Sequence, residues 1–165
     1  MSQSPRNAGS ENGKATAVKV IAYITDGNKL LVFSHPQHPE AGIQVPGGTV
    51  EAGEALDDAV LREVREETGL NNLEIRSYLG FQEYDLSTVG LSGILRRHFF
   101  HLTLCGQAPE RWRHYEHYPS DGSTAPIELE FFWASFPDRV PELAGRQGEL
   151  LHRLETTTSL PEDLT

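Results

Sequence analysis

Between residues 62 and 67 the chain reads Arg-Glu-Val-Arg-Glu-Glu, inside a segment from Ala55 to Thr68 whose composition and flanks predict a helix. Advancing about 100° per residue from Leu56 centres the apolar face near Leu56 and Val60, with Ala59 and Val64 at its sides. On the same count Glu63 and Glu67 fall within about 20° of Leu56, Glu66 lies at the edge, and Arg62 and Arg65 point away. Carboxylates therefore occupy the stripe where a helix ordinarily places Leu or Val. Glu63 and Glu67 are also an i,i+4 like-charge pair, unfavourable even in water and more so when desolvated. Oxygen-rich clusters of this kind are the usual ligands of Mg²⁺ or Mn²⁺. The plainer alternative is a solvated acidic face partnered by Arg62 and Arg65, against which stands its coincidence with the apolar stripe.

The turn before the helix narrows the choice. Gly48-Thr49-Val50-Glu51-Ala52-Gly53-Glu54 has the outline of a phosphate-binding loop, but Glu54 and Ala55 stand where that motif needs Lys and Ser or Thr. No lysine of this loop reaches a phosphate, so an anionic substrate would be approached through a cation. Gly48, five residues, Glu54, seven residues and then Arg62-Glu63-Val64-Arg65-Glu66-Glu67-Thr68-Gly69-Leu70 resembles the complete Nudix box, with every fixed position met across 23 residues.

The resemblance implies the family's α/β/α sandwich, a mixed β-sheet between helices, covering residues 16 to about 155. It further implies hydrolysis of a nucleoside diphosphate linked to another moiety, with Mg²⁺ or Mn²⁺ as cofactor. By position, Glu63, Glu66 and Glu67 would be metal ligands together with the backbone carbonyl of Gly47. Arg62 would orient Glu63, Glu54 would complete the acidic site or order the loop-to-helix turn, and Glu63 is the first choice of general base. The runner-up is a Nudix-fold module that binds a nucleotide without cleaving it. An intact set of box acids favours the enzyme.

Some family members bring a further glutamate from outside the box. Glu116, Glu128 and Glu130 are the candidates, with Glu128 ranked first as a metal ligand, although alternation in Ile127–Phe136 equally fits a wet strand face. The basic and aromatic clusters Arg96–His101 and Arg111–Tyr118 offer groups to stack a base or pair with phosphate, and Arg97, Arg111 and Tyr115 are the expected substrate-binding residues. His35 and His38 precede the box in a loop and either line a cleft or face solvent. Cys105, the sole cysteine, reads as a small buried side chain. Ser92 lacks a nucleophile elbow, and there is no HExxH zinc helix. The proline associated with ADP-ribose hydrolases would fall near Asp85 and is absent. The tyrosine of dinucleoside polyphosphate hydrolases is also missing from Leu86–Thr88, though Tyr84 is close.

Positioning these groups requires a scaffold, and 165 residues at 38% hydrophobic suffice for one domain without disulfides. Residues 1–14 read as a disordered tail, 15–156 as the domain and 157–165 as a flexible end. Strands are predicted at Thr16–Thr25, Lys29–Ser34, a broken Gly42–Val50, Leu73–Tyr84, Leu95–Cys105 and Ile127–Phe136, with a closing helix at Glu142–Glu155 weakened by two glycines. Gly106–Pro126 is expected to be a long functional loop. A net charge of −10 argues against nucleic-acid polymers. A small anionic substrate stays possible where a divalent cation inverts the charge of the site, and the resemblance implies that this partner is a small nucleotide. Without an apolar run long enough to span a bilayer, a cytoplasmic location is expected and no membrane partner. Dimers are frequent in the family, which makes a homodimer an expected assembly.

Overall fold

The computed structural model describes residues 16–116 and 125–158; the expected tail 1–14, residues 117–124 with His117 and Tyr118, and residues 159–165 of the expected C-terminal tail lie outside the described residues. β1 (Thr16–Asp26) and β2 (Lys29–Ser34) form an antiparallel pair around the Gly27-Asn28 turn, where Gly27 takes φ 59°. That left-handed backbone suits a two-residue hairpin and costs glycine little. β3 is only Gly47–Thr49, and α1 spans Leu56–Thr68. β4 (Leu73–Asp85), β5 (Ile94–Leu104), β6 (Arg111–Glu116) and β7 (Ile127–Ser135) follow, and α2 (Leu151–Thr158) closes the described chain.

Among the described residues the strands form one mixed seven-stranded sheet in the order β4-β5-β1-β2-β7-β6, with β3 also paired to β1. β1 and β5 run parallel in register from Thr16 opposite Ile94 to Thr25 opposite Thr103. The other edge of β1 is shared. Thr25 and Asp26 pair with β2, whereas Lys19, Val20 and Ile21 pair with β3. The sheet thus splays between β2 and β3.

Period-two alternation along β1 divides the core into two layers. Val20, Ala22 and Ile24 pack with Phe100, Leu129 and Phe131 against Ala59, Val60 and Val64 of α1. On the opposite face Ile21, Tyr23 and Phe99 pack against Leu143, Leu150 and Leu154 of the C-terminal segment. Helices cover both faces, as in the expected sandwich. α1 carries Asp57 and Asp58 in its first turn and ends at Gly69, whose N–H donates to the Arg65 carbonyl at φ 79°.

Two expectations change. The long Gly106–Pro126 loop contains β6, which pairs antiparallel with β7 from Arg111 opposite Phe132 to Glu116 opposite Ile127. Its exposed and half-buried residues alternate one by one, a period that Arg-Trp-Arg-His carries in sequence. The single closing helix is instead a 3₁₀ turn, Ala144–Arg146, followed by α2. Gly145 adopts φ 59° and ψ 32°, which interrupts a right-handed helix.

Candidate functional site

Pro46-Gly47-Gly48 runs along β1 because two side chains are missing. A Cβ on Gly47 would lie 2.5 Å from the Val20 carbonyl oxygen, and one on Gly48 would lie 2.0 Å from Oε2 of Glu63. The space a side chain would fill at Gly48 therefore belongs to the Glu63 carboxylate. One turn further along α1, Oε1 of Glu67 accepts the Gly47 N–H at 3.3 Å. Glu67 faces inward as the wheel geometry implies, only 7% exposed, and meets the glycine strand there.

Arg62 does not point away. Its Nε and Nη2 donate to the two carboxylate oxygens of Glu54 at 2.7 and 2.8 Å, and Nη2 also donates to the Thr49 carbonyl at 3.0 Å. Nη1 donates to Oε1 of Glu63 at 2.8 Å. The loop from Thr49 to Glu54 covers this side of α1, so a position that is outward on an isolated helix becomes half-buried. Glu54 lies behind Arg62, where it also accepts the Glu51 N–H at 3.0 Å. These bonds to its ionised form hold its pKa down at about 2. Of its two expected roles, the geometry matches ordering the turn.

The same environment acts oppositely on the acids facing inward. Burial is the largest cause of a pKa raised well above the usual range at Glu67, and the negative charges of Glu116 and Glu63 add to it. Glu63 is also raised by burial, against the Arg62 bond that lowers it. Glu66 stays largely in solvent, its side chain 63% exposed.

These acids line a cavity of about 500 Å³ at the splay between β2 and β3. Its wall includes Gly47, Gly48, Glu63, Glu66, Glu67 and Glu116, together with Lys19, Arg97, His35, Gln44 and Gln147. Of the three candidate glutamates outside the box, Glu116 lines this cavity and Glu128 and Glu130 do not. Glu128 and Glu130 alternate with Leu129 and Phe131, which pack toward α1, so both glutamates lie on the opposite face of β7. There Glu128 accepts a bond from Arg113, and Glu130 pairs with Arg111 at 3.2 Å. The alternation of β6 could have revealed this. Trp112, His114 and Glu116 share the face toward α1, where Trp112 Nε1 donates to the Thr68 carbonyl at 2.9 Å and His114 Nε2 to that of Glu66 at 3.0 Å.

The same parity turns two of the expected substrate-binding residues away from this cavity. Arg111 stacks over Phe132, and Tyr115 is 49% exposed, neither lining the cavity. Arg97 does line it, 6% exposed, with Nη2 donating to the Tyr84 hydroxyl and the Gly145 carbonyl at 2.7 Å each. His35 lines the cavity as well, with burial lowering its pKa, whereas His38 is exposed beside Glu40. Cys105 is exposed just past β5 rather than buried.

Comparison with known proteins agrees with this architecture. A family model for the NUDIX domain matches residues 15–154. The NAD-capped RNA hydrolase NudC of Vibrio parahaemolyticus is 42% identical over 65 residues, 39% of this chain and 25% of that protein. The ADP-ribose pyrophosphatase of Methanocaldococcus jannaschii is 43% identical over 65 residues, 39% of this chain and 38% of that protein. These curated relatives are thus matched over a quarter to two-fifths of their length. Among solved structures, a NUDIX hydrolase from Nitrosomonas europaea superposes with a TM-score of 0.61 at 20% identity, covering 92% of this chain and 96% of that one. A UDP-X diphosphatase superposes with a TM-score of 0.57 at 22% identity, over 88% of this chain and 64% of the other. At such identities the structures speak to the fold.

Proposed function

Because the chain belongs to the Nudix family, we propose that it is a metal-dependent pyrophosphohydrolase that cleaves the phosphoanhydride of a nucleoside diphosphate linked to another moiety. The observation that carries this reading is Glu67, a buried carboxylate flanked by Glu63 and Glu116 at the wall of the cavity. Three acids in low dielectric repel one another unless a cation joins them.

The donors fit such a cation. Oxygen ligands alone suit a hard divalent ion, Mg²⁺ or Mn²⁺, rather than zinc. Among the described residues, however, no three acids, imidazoles or thiols already converge as a finished cage. Glu63 is drawn to Arg62 and Glu66 to solvent. Glu67, Glu63 and Glu116 would hold the ion, with Glu66 and the Gly47 carbonyl as further oxygens. Once bound, the cation neutralises the diphosphate, whose own charge otherwise repels a nucleophile.

The chain's residues supply the rest. Arg62 holds Oε1 of Glu63, which leaves Oε2, lying over Gly48, to accept the proton of an attacking water. Burial raises the Glu63 pKa and so makes it a stronger acceptor. The water oxygen bonds to phosphorus as the bridging P–O bond breaks, and each product keeps one phosphate. Glu54 fixes Arg62, and therefore Glu63, from behind.

The test is a panel of ADP-ribose, NAD, UDP-sugars, nucleoside triphosphates and NAD-capped RNA with Mg²⁺ or Mn²⁺, with products identified. Metal-dependent release of a nucleoside monophosphate from a small substrate is expected. Tight binding without turnover under either metal would instead make the chain a nucleotide-binding module.

A further inference from the structure

One group in the cavity has no part in the chemistry above. Lys19 lies on β1 opposite Thr49 of β3, the residue next to Gly48, and lines the cavity half-buried. Its ammonium makes no hydrogen bond or ion pair with a described residue. On the neighbouring parallel strand Lys19 is in register with Arg97, so both side chains leave the same face of the sheet. Arg97 is neutralised by no contacting carboxylate either. Its described partners are the neutral oxygens of Gln82, Tyr84 and Gly145, and its buried Nε has none.

Two cations thus stand on one wall of the cavity, neither in direct contact with a described carboxylate. A half-buried ammonium gives up hydration, and an unpartnered buried guanidinium N–H costs more. Both costs are offset when an anion enters. Lys19 also lies close enough to Glu67 to act on its carboxyl electrostatically, which places it beside the acids that would hold the metal.

We propose that Lys19 is a substrate-contacting residue of this cavity: its ammonium takes a phosphoryl oxygen of the bound diphosphate, with Arg97 reinforcing the cationic wall. The proposal rests on the hydrolase reading for its choice of anion. It assigns phosphate recognition to a strand residue outside the box, and it makes the strand wall select for a charged diphosphate over an uncharged nucleoside.

The test compares the parent with Lys19→Gln and Lys19→Arg by titration calorimetry, using Mn²⁺ alone, ADP with Mn²⁺, and adenosine. Arg97 is left intact because its bonds to Tyr84 and Gly145 make it part of the fold. Lys19→Gln should weaken ADP binding about tenfold or more, the range for losing a charge-assisted hydrogen bond. Lys19→Arg should restore most of it, and adenosine binding should not change. Removing a positive charge beside the acids should leave Mn²⁺ binding equal or tighter. A merely structural role would instead weaken the metal and both ligands together. That outcome, or unchanged ADP binding in Lys19→Gln, overturns the proposal while leaving the hydrolase reading standing. A parent chain that takes up neither Mn²⁺ nor ADP would overturn both.

Discussion

The two faces of the β6–β7 pair carry acids with opposite surroundings. Facing away from α1, Glu128 and Glu130 each meet an arginine from β6. Facing α1, Glu116 meets Glu63 and Glu67, and its charge helps raise the pKa of both. The amino acid is the same and the strands are the same. What differs is the company each acid keeps: arginines on one face, and on the other two further carboxylates, one of them buried, at the wall of the cavity.

That contrast can be broken most severely at Glu67. Glu67→Gln should reduce turnover by more than about a hundredfold, since even residues that only support a metal ligand typically contribute 10–100-fold. Its thermal stability should hold or rise, because a buried charge is removed; a fall in melting temperature with activity retained would refute the assignment. Gly48→Ala is next. Its methyl would occupy the Glu63 carboxylate position, and displacement of this size is expected to cost about a hundredfold in kcat, measured beside an unchanged circular dichroism spectrum.

Glu116→Gln should follow with a loss of roughly tenfold in metal affinity, read by Mn²⁺ titration. The matching change across the strands, Glu128→Gln, should leave kcat within about twofold. It should also change stability by less than about 1 kcal/mol, because its arginine partner is largely exposed. Equal effects at Glu116 and Glu128 would dissolve the comparison.

The smallest effect is one of pH. Glu54 titrates at about 2 when folded, against an ordinary 4.5, because Arg62 holds its ionised form. As pH falls, the unfolded chain binds the proton first. The stability contributed by this pair is therefore complete above about 4.5 and is lost toward about 2. Melting temperatures of the parent and Glu54→Gln should converge across that window, and curves that stay parallel would deny the pair any contribution.

The box acids were legible because helical periodicity is local: Glu63 and Glu67 share the Leu56 stripe whatever packs on it. β1, β2, β4, β5 and β7 were legible for the same reason, through alternation and turn residues, whereas β3 lies on the Gly47-Gly48 pair that reads as a break in the strand. β6 was harder to read, since its aromatic and basic residues resemble loop decoration until β7 lies beside them. Seeing that Glu116 lines the cavity and Glu128 does not required knowing which face of β7 meets α1. Arg62 looked outward because a helical wheel does not contain the loop that folds over it.

The order of residues alone determined the helix, its acidic stripe, the glycine pair before it and the family resemblance, all of which depend on neighbours within a few turns of chain. Tertiary structure decided which distant groups join them: Glu116 from β6, Lys19 from β1 and Arg97 from β5. Strand register brings them together, and register is set by which buried faces meet across the sheet, a property of no single segment.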